Sequence, residues 1–239
     1  MVNLFSRPDL AQFGWAVVIG LGAAVLVAAI RRIARALKPP AEHRILVAAP
    51  LTGLAVAALA IAYAEVTGNP VSDILFSGQD QLGGLVTTGA GYSVGALLLL
   101  LLCKSLAYAG SLAAFRGGPT FPAVFLGAAA GILLTHLPGL PLVPAIAMGM
   151  GAATVAMLGL PLTSVLVATL ILGADGLATM PLVIVAVTVS FVASARLAPR
   201  STAPDGADPA PEVPGATEPV PQPRRSAGDR VPPRGSSSS

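Results

Sequence analysis

Apolar runs approaching the ~20 residues needed to cross a bilayer core recur from about Phe13 to about Ala195 and then stop. The first, about Phe13–Ile30, is uncharged, and Gly20 and Gly22 offer small surfaces for close helix packing. The second, about Arg44–Tyr63, has Gly53 at its centre. A more polar stretch, Ala64–Gly84, follows; within it Val71–Phe76 is too short to span and predicts an interfacial or re-entrant turn. A long third run, about Tyr92–Phe115, carries Lys104 near its middle. Four shorter apolar pieces come next, at about Pro119–Leu137, Pro144–Leu158, Leu160–Leu172 and Thr179–Ala195. Pro138-Gly-Leu-Pro141, Gly159-Leu-Pro161 and Gly173-Ala-Asp175-Gly176 separate them. Simple up-and-down bundles do not need such pieces, whereas broken-helix transporters do. The pattern predicts an all-α, polytopic membrane protein with short and broken helices over residues 1–197. Residues 198–239, rich in Pro, Ser, Gly, Arg, Asp and Glu, cannot bury a core and are expected to form a disordered tail.

Charge sharpens this picture. Only 10% of the 239 residues are charged and the mean hydropathy is +0.80, against a soluble norm of about 25% charged, so a soluble globular domain is excluded. The net charge of +3 comes from basic residues flanking apolar runs, which argues membrane orientation rather than nucleic-acid binding. Arg31, Arg32, Arg35 and Lys38 place the segment after the first run on the cytoplasmic side and the N-terminus outside. Glu65, Asp73 and Asp80, in a stretch without Lys or Arg, fit the outer side. The tail, with Arg224, Arg225, Arg230 and Arg234, is then cytoplasmic, as a solvated linker or in touch with anionic lipid. Met1–Gln12 contains Arg7 and Asp9, and no cleavable signal peptide is expected. A lone cysteine, Cys103, excludes a disulfide framework, and His43 and His136 are too scattered to suggest a metal cluster. No cofactor is expected.

The chemistry concentrates at Phe115-Arg-Gly-Gly-Pro-Thr-Phe-Pro-Ala-Val-Phe-Leu-Gly127. Non-helical backbone at membrane depth survives only when buried in protein or lining a cavity, and a Gly/Pro interruption of an apolar segment points to a transporter's substrate site. Helix N-termini offer free N–H groups and a partial positive charge, and proline suits a first turn. Gly118-Pro-Thr-Phe-Pro122 therefore reads either as a helix N-terminus aimed at an anion, with Thr120 adding a hydroxyl, or as a Pro-initiated helix packed through its glycines. Lys104 is a functional candidate by its position. With no acidic neighbour in sequence, snorkelling to an interface is the preferred reading. Gly149-Met-Gly151 and Leu160-Pro-Leu-Thr-Ser164 read as packing surfaces, with Pro161 starting a helix. Ser111, Lys104, His136 and Asp175 do not amount to an enzyme signature, and no enzymatic activity is expected.

Gly117-Gly-Pro-Thr-Phe-Pro-Ala-Val-Phe-Leu-Gly127 resembles the segment of CLC chloride channels and transporters that carries a Gly-x-Phe-x-Pro anion-binding motif. Gly149-Met-Gly-Ala-Ala and Leu160-Pro-Leu-Thr-Ser-Val-Leu-Val are similar to that family's Gly-Met-Gly-Ala and Ala-Pro-Leu-Thr stretches. The resemblance covers about Gly14–Ala195, as the second half of a subunit built from two halves of opposite orientation. It implies chloride or a similar small anion as substrate, held at Gly118, Pro119, Thr120, Phe121 and Pro122. It also implies a homodimer, to whose interface Leu160–Leu172 and Thr179–Ala195 contribute. The motif glycine and proline fall on Gly118 and Pro122, but its phenylalanine falls on Thr120, with Phe121 next. The first-half motifs, with their gating glutamate and chloride-binding serine, have no match. The tyrosine that closes the family's inner pathway has no counterpart after Tyr108, and Leu170 stands near a position often acidic. The alternatives are a non-conducting chain, truncated or dependent on a separate N-terminal-half partner, and an intramembrane enzyme using Ser111, Lys104 or His136.

Overall fold

A computed structural model describes residues 9–43, 45–115 and 118–197. The expected disordered tail, and Arg116 and Gly117 of the break, lie outside the described residues. Eight α-helices are described: α1 (Leu10–His43), α2 (Ile45–Thr67), α3 (Gln79–Thr88), α4 (Val94–Ala114), α5 (Thr120–Leu134), α6 (Leu142–Leu158), α7 (Pro161–Leu172) and α8 (Ala174–Leu197). Within α1, α2, α4 and α8, the segments Leu10–Lys38, Leu46–Thr67, Val94–Ala114 and Asp175–Leu197 are long and apolar enough to cross a membrane. The others are shorter, at 15, 17 and 12 residues for α5, α6 and α7. The result is an all-helical membrane fold with short helices, consistent with half of a CLC-type subunit.

Local sequence explains the boundaries. Ser93 caps α4 by accepting from the Ala96 N–H at 3.2 Å. Pro161 starts α7, where its missing N–H costs nothing. Gly159 ends α6 with φ +72°, a conformation other residues adopt only with strain. Two expectations fail. The arginine cluster does not end the first helix, because α1 continues past Ile30 to His43. Arg, Ala and Leu are good helix formers, and basic residues mark the membrane boundary rather than the end of a helix. Likewise Gly173-Ala-Asp175-Gly176 is not a four-residue separator. Gly173 alone breaks the chain, and Asp175 lies in the first turn of α8, which is long enough to span.

The core sits around α6. Every residue from Pro144 to Met157 is buried, because α1, α5, α7 and α8 all pack on that helix. Small residues permit this, as anticipated for Gly149 and Gly151. A Cβ on Gly127 would collide with the Gly149 carbonyl, and one on Gly131 with that of Ala145. As one partner number rises the other falls, so α5 and α6 run antiparallel in close backbone contact. Gly20 lets α1 approach Ala186 and Val189 of α8, whereas Gly22 has open space where its Cβ would stand. Gly22 lies instead beside a small apolar cavity shared with Gly127 and Gly149.

Candidate functional site

Pro119 precedes α5 without any side-chain cap, and Thr120 is the first helical residue. Of the first turn, Thr120 and Phe121 carry N–H groups with no acceptor inside the helix, Pro122 has none, and the Ala123 N–H reaches the Pro119 carbonyl at 3.4 Å. The free donor set is therefore two N–H groups at the positive end of a helix dipole. Gly118 is exposed, Pro119 and Thr120 are half-buried, and Pro122 is buried. Phe121 is 42% exposed and does not wall off the site. A Cβ on Gly118 would meet nothing within 4 Å, so this glycine leaves space rather than allowing two backbones to touch.

The antiparallel pairing sets the C-terminus of α6 beside this end of α5. Ala123 and Leu126 share one apolar cluster with Ala156 and Met157, and with Val27, Ile30 and Tyr108. Arg31 of α1 donates from its guanidinium to the Met157 carbonyl, one of the last acceptors of α6. Tyr108 of α4 is 9% exposed, and its hydroxyl has no hydrogen-bond partner. Neither Arg31 nor Tyr108 stands out in sequence, since the juxtaposition arises only from helix packing.

Lys104 overturns its expectation. It does not snorkel; it is 2% exposed in the middle of α4. Its Nζ donates to the carbonyls of Asp73 at 2.8 Å, Leu75 at 3.1 Å and Phe76 at 3.3 Å. It also lies 4.7 Å from the centre of the Phe125 ring on α5. The fold brings an acidic residue near, Asp73 of the 3-10 turn Val71–Asp73, but Lys104 bonds to its backbone carbonyl rather than its carboxylate. There Asp73 Oδ2 accepts from the hydroxyls of Tyr63 at 3.4 Å and Tyr92 at 3.1 Å. Burial is the main influence on Asp73 and holds its carboxyl above the usual range, against lowering by the two hydroxyls and by Lys104. Val71–Phe76 is thus a turn clamped to α4 and α5 by a buried ammonium.

The remaining candidates do not converge. Ser111 donates to the Ala107 carbonyl at 2.9 Å, as membrane-helix serines commonly do. His136 follows the far end of α5, in the turn before Pro138. No Ser–Lys or Ser–His hydrogen bond occurs among the described residues. Ser164 donates to the Leu160 carbonyl at 2.7 Å, and with Thr163 sits in the first turn of α7. Leu170 is exposed on the outer side of α7.

Comparison with known proteins identifies relatives and a family for this chain. The ion-transport protein YfeO, so named provisionally, from Escherichia coli O1:K1 is 38% identical over 94 residues, covering 38% of this chain and 22% of that protein. YfeO from E. coli O139:H28 and from Shigella boydii serotype 18 are each 37% identical over the same lengths. The aligned stretch thus spans about a fifth of these relatives. No solved structure gives a significant match. The family described as voltage gated chloride channel matches residues 8–195, nearly all of the helical region, and the chain belongs to that family.

Proposed function

We propose that this chain takes part in moving a small anion, chloride or one similar, across the membrane. The N-terminus of α5 holds the ion. The N–H groups of Thr120 and Phe121 supply the donors, the Thr120 hydroxyl adds a third, and Gly118, Pro119 and Pro122 shape the approach. The reading is carried by the uncapped start of α5 inside a membrane bundle of this family. Binding of this kind needs no covalent step and no cofactor. The proposed membrane is the cell membrane, with residues 198–239 on the cytoplasmic side. A second copy of the chain is the proposed partner, and the exposed stripe Leu162, Leu166 and Leu170 on α7 fits that role.

The test is chloride efflux from liposomes containing only this chain, comparing wild type with Gly118→Leu. A side chain at 118 meets open space, so the variant folds and fills the approach. Efflux lost on substitution supports the reading. Efflux that survives the substitution refutes this site. A second reading, a half that works only with another chain, is favoured by α2. That helix buries little of its apolar surface and exposes Leu46, Leu51, Leu54 and Ile61. Folded wild-type chain that gives no efflux alone, but regains it with a copurifying partner, would establish that reading.

A further inference from the structure

Buried hydroxyls in this bundle are generally used. Thr154, Ser164 and Thr169 each donate to the carbonyl four residues earlier, and Ser190 of α8 donates to Ala152 of α6. The hydroxyls of Ser105, Tyr108 and Ser194 are buried without a partner among the described residues, and of these Tyr108 shares an apolar cluster with the first turn of α5. A buried polar group left unpaired is costly, and such groups call for an explanation. Three observations locate its surroundings. Tyr108 shares its apolar cluster with Ala123 in the first turn of α5 and with Met157 near the end of α6. The Arg31 guanidinium is fixed on the Met157 carbonyl. Its charge is close enough to act on the Tyr108 hydroxyl. No carboxylate pairs with Arg31 among the described residues; its guanidinium has the one carbonyl as partner.

We infer that the Tyr108 hydroxyl and the Arg31 guanidinium are two further donors of the anion site at α5, so that α4 and α1 help to hold a small monovalent anion. This rests on the reading of α5 given above and names the side chains that complete it. Two backbone N–H groups are a sparse replacement for the hydration shell of an anion. An O–H from one neighbouring helix and a guanidinium N–H from another enlarge the donor set without adding a charge inside the core. Arg31 serves here in two ways. It neutralises the carbonyl end of α6, which would repel an anion, and it turns a net positive charge toward the start of α5.

The test uses the full chain purified in detergent, melted in gluconate buffer at fixed ionic strength with increasing bromide as the probe. A ligand at free concentration L that binds only the folded state stabilises it by RT ln(1 + L/Kd), so the melting temperature climbs with the logarithm of ligand concentration above Kd. Wild type is expected to gain stability with bromide along that logarithmic curve, and Gly118→Leu to lose that gain. Tyr108→Phe and Arg31→Gln are each expected to weaken apparent bromide affinity about tenfold, the loss of one charge-assisted hydrogen bond. Arg32→Gln, one residue along α1, should retain wild-type affinity. In gluconate alone, Tyr108→Phe should melt at or above wild type, since it removes an unpaired buried hydroxyl. A purely structural Tyr108 would instead lower the gluconate melting point and leave bromide affinity unchanged.

Unchanged affinity in both Tyr108→Phe and Arg31→Gln, with Gly118→Leu still abolishing binding, overturns this inference and leaves the α5 site standing. A wild-type chain that bromide does not stabilise, or a Gly118→Leu chain that still binds, overturns the α5 reading and this inference with it. If Arg31→Gln does not fold, Tyr108→Phe decides alone.

Discussion

Replacing Lys104 by Met is the sharpest test of how the bundle is held together. Met nearly preserves the volume of the stem, so the change removes charge and donors rather than packing. The structure then leaves the carbonyls of Asp73, Leu75 and Phe76 without their common donor. It also removes the cation over Phe125 and the positive charge beside the Asp73 carboxyl. Hydrogen bonds to a charged group contribute roughly 1.5–3 kcal/mol each, but three sharing one ammonium do not add, and relief of its desolvation offsets part of the loss. Removing one partner of a buried charged arrangement costs about 3–5 kcal/mol; we take the lower end, about 3 kcal/mol. Because the lost contacts all tie one turn to α4 and α5, the loss should appear first as local opening. Amide hydrogen exchange across Val71–Phe76 should therefore speed up about a hundredfold, at roughly 1.4 kcal/mol per tenfold, while α6 keeps its protection. Exchange in that turn within about threefold of wild type would refute the clamp, and Lys104 would then be the snorkelling residue that its sequence context suggested.

Three further outcomes follow from particular contacts. Gly127→Ala drives a methyl group into the Gly149 carbonyl and should destabilise the chain by about 1–3 kcal/mol; denaturant-detergent titration of helicity would show it, and a wild-type midpoint would contradict the α5–α6 contact. Ser190→Ala removes the 2.8 Å bond to the Ala152 carbonyl and should cost about 0.6 kcal/mol, the usual size for such bonds in membrane proteins; the same titration checks it, and a loss above about 2 kcal/mol would mean that the hydroxyl does more. Asp73, outside the four spans, has its carboxyl pushed up by burial, so its neutral form is favoured in the fold. Its contribution is complete below the unfolded value of about 4 and fades as pH rises through the higher folded value; Asp73→Asn should flatten the pH dependence of the melting temperature in that window, and an unchanged slope would assign it to other groups.

The helices were legible because the signals that made them are local. Run length, the Pro at 161 and the glycines at 159 and 173 set the boundaries of α6 and α7 closely, whereas the start of α8 lies at Ala174, before the expected Thr179. The break before α5 was legible for the same reason, and so was its character as a helix start. Lys104 was misjudged because its partners lie about thirty residues upstream, in a turn whose carbonyls carry no side-chain signature. The end of α1 was misplaced because a run of arginines reports where lipid ends and says little about where hydrogen bonding ends. Arg31 and Tyr108 were legible only as a basic flank and an aromatic in an apolar run. Their neighbourhood needs the fold, because the residues that gather around them come from α1, α4, α5 and α6.

That dependence on packing has an electrostatic consequence for any anion at α5. Close antiparallel packing through Gly127 and Gly149 favours the pair of helices because opposite dipole ends lie side by side. The same alignment is poor for binding, since roughly half a negative charge at the end of α6 offsets roughly half a positive charge at the start of α5. An anion site built from these two helices alone would be close to neutral. Two contacts at the end of α6 shift the balance. The Gly159 N–H donates to the Val155 carbonyl at 2.8 Å, and the Arg31 guanidinium donates to that of Met157. The first satisfies an acceptor; the second also brings a full positive charge. The field at the start of α5 is then set by a residue of α1, far away in sequence and on the basic flank of the first apolar run. An arginine in that place adds a long-range charge to its N–H donor, whereas the Tyr108 hydroxyl contributes a donor alone. The two substitutions should therefore differ in salt dependence: the Arg31→Gln loss should shrink as ionic strength screens the exposed guanidinium, and the Tyr108→Phe loss should not.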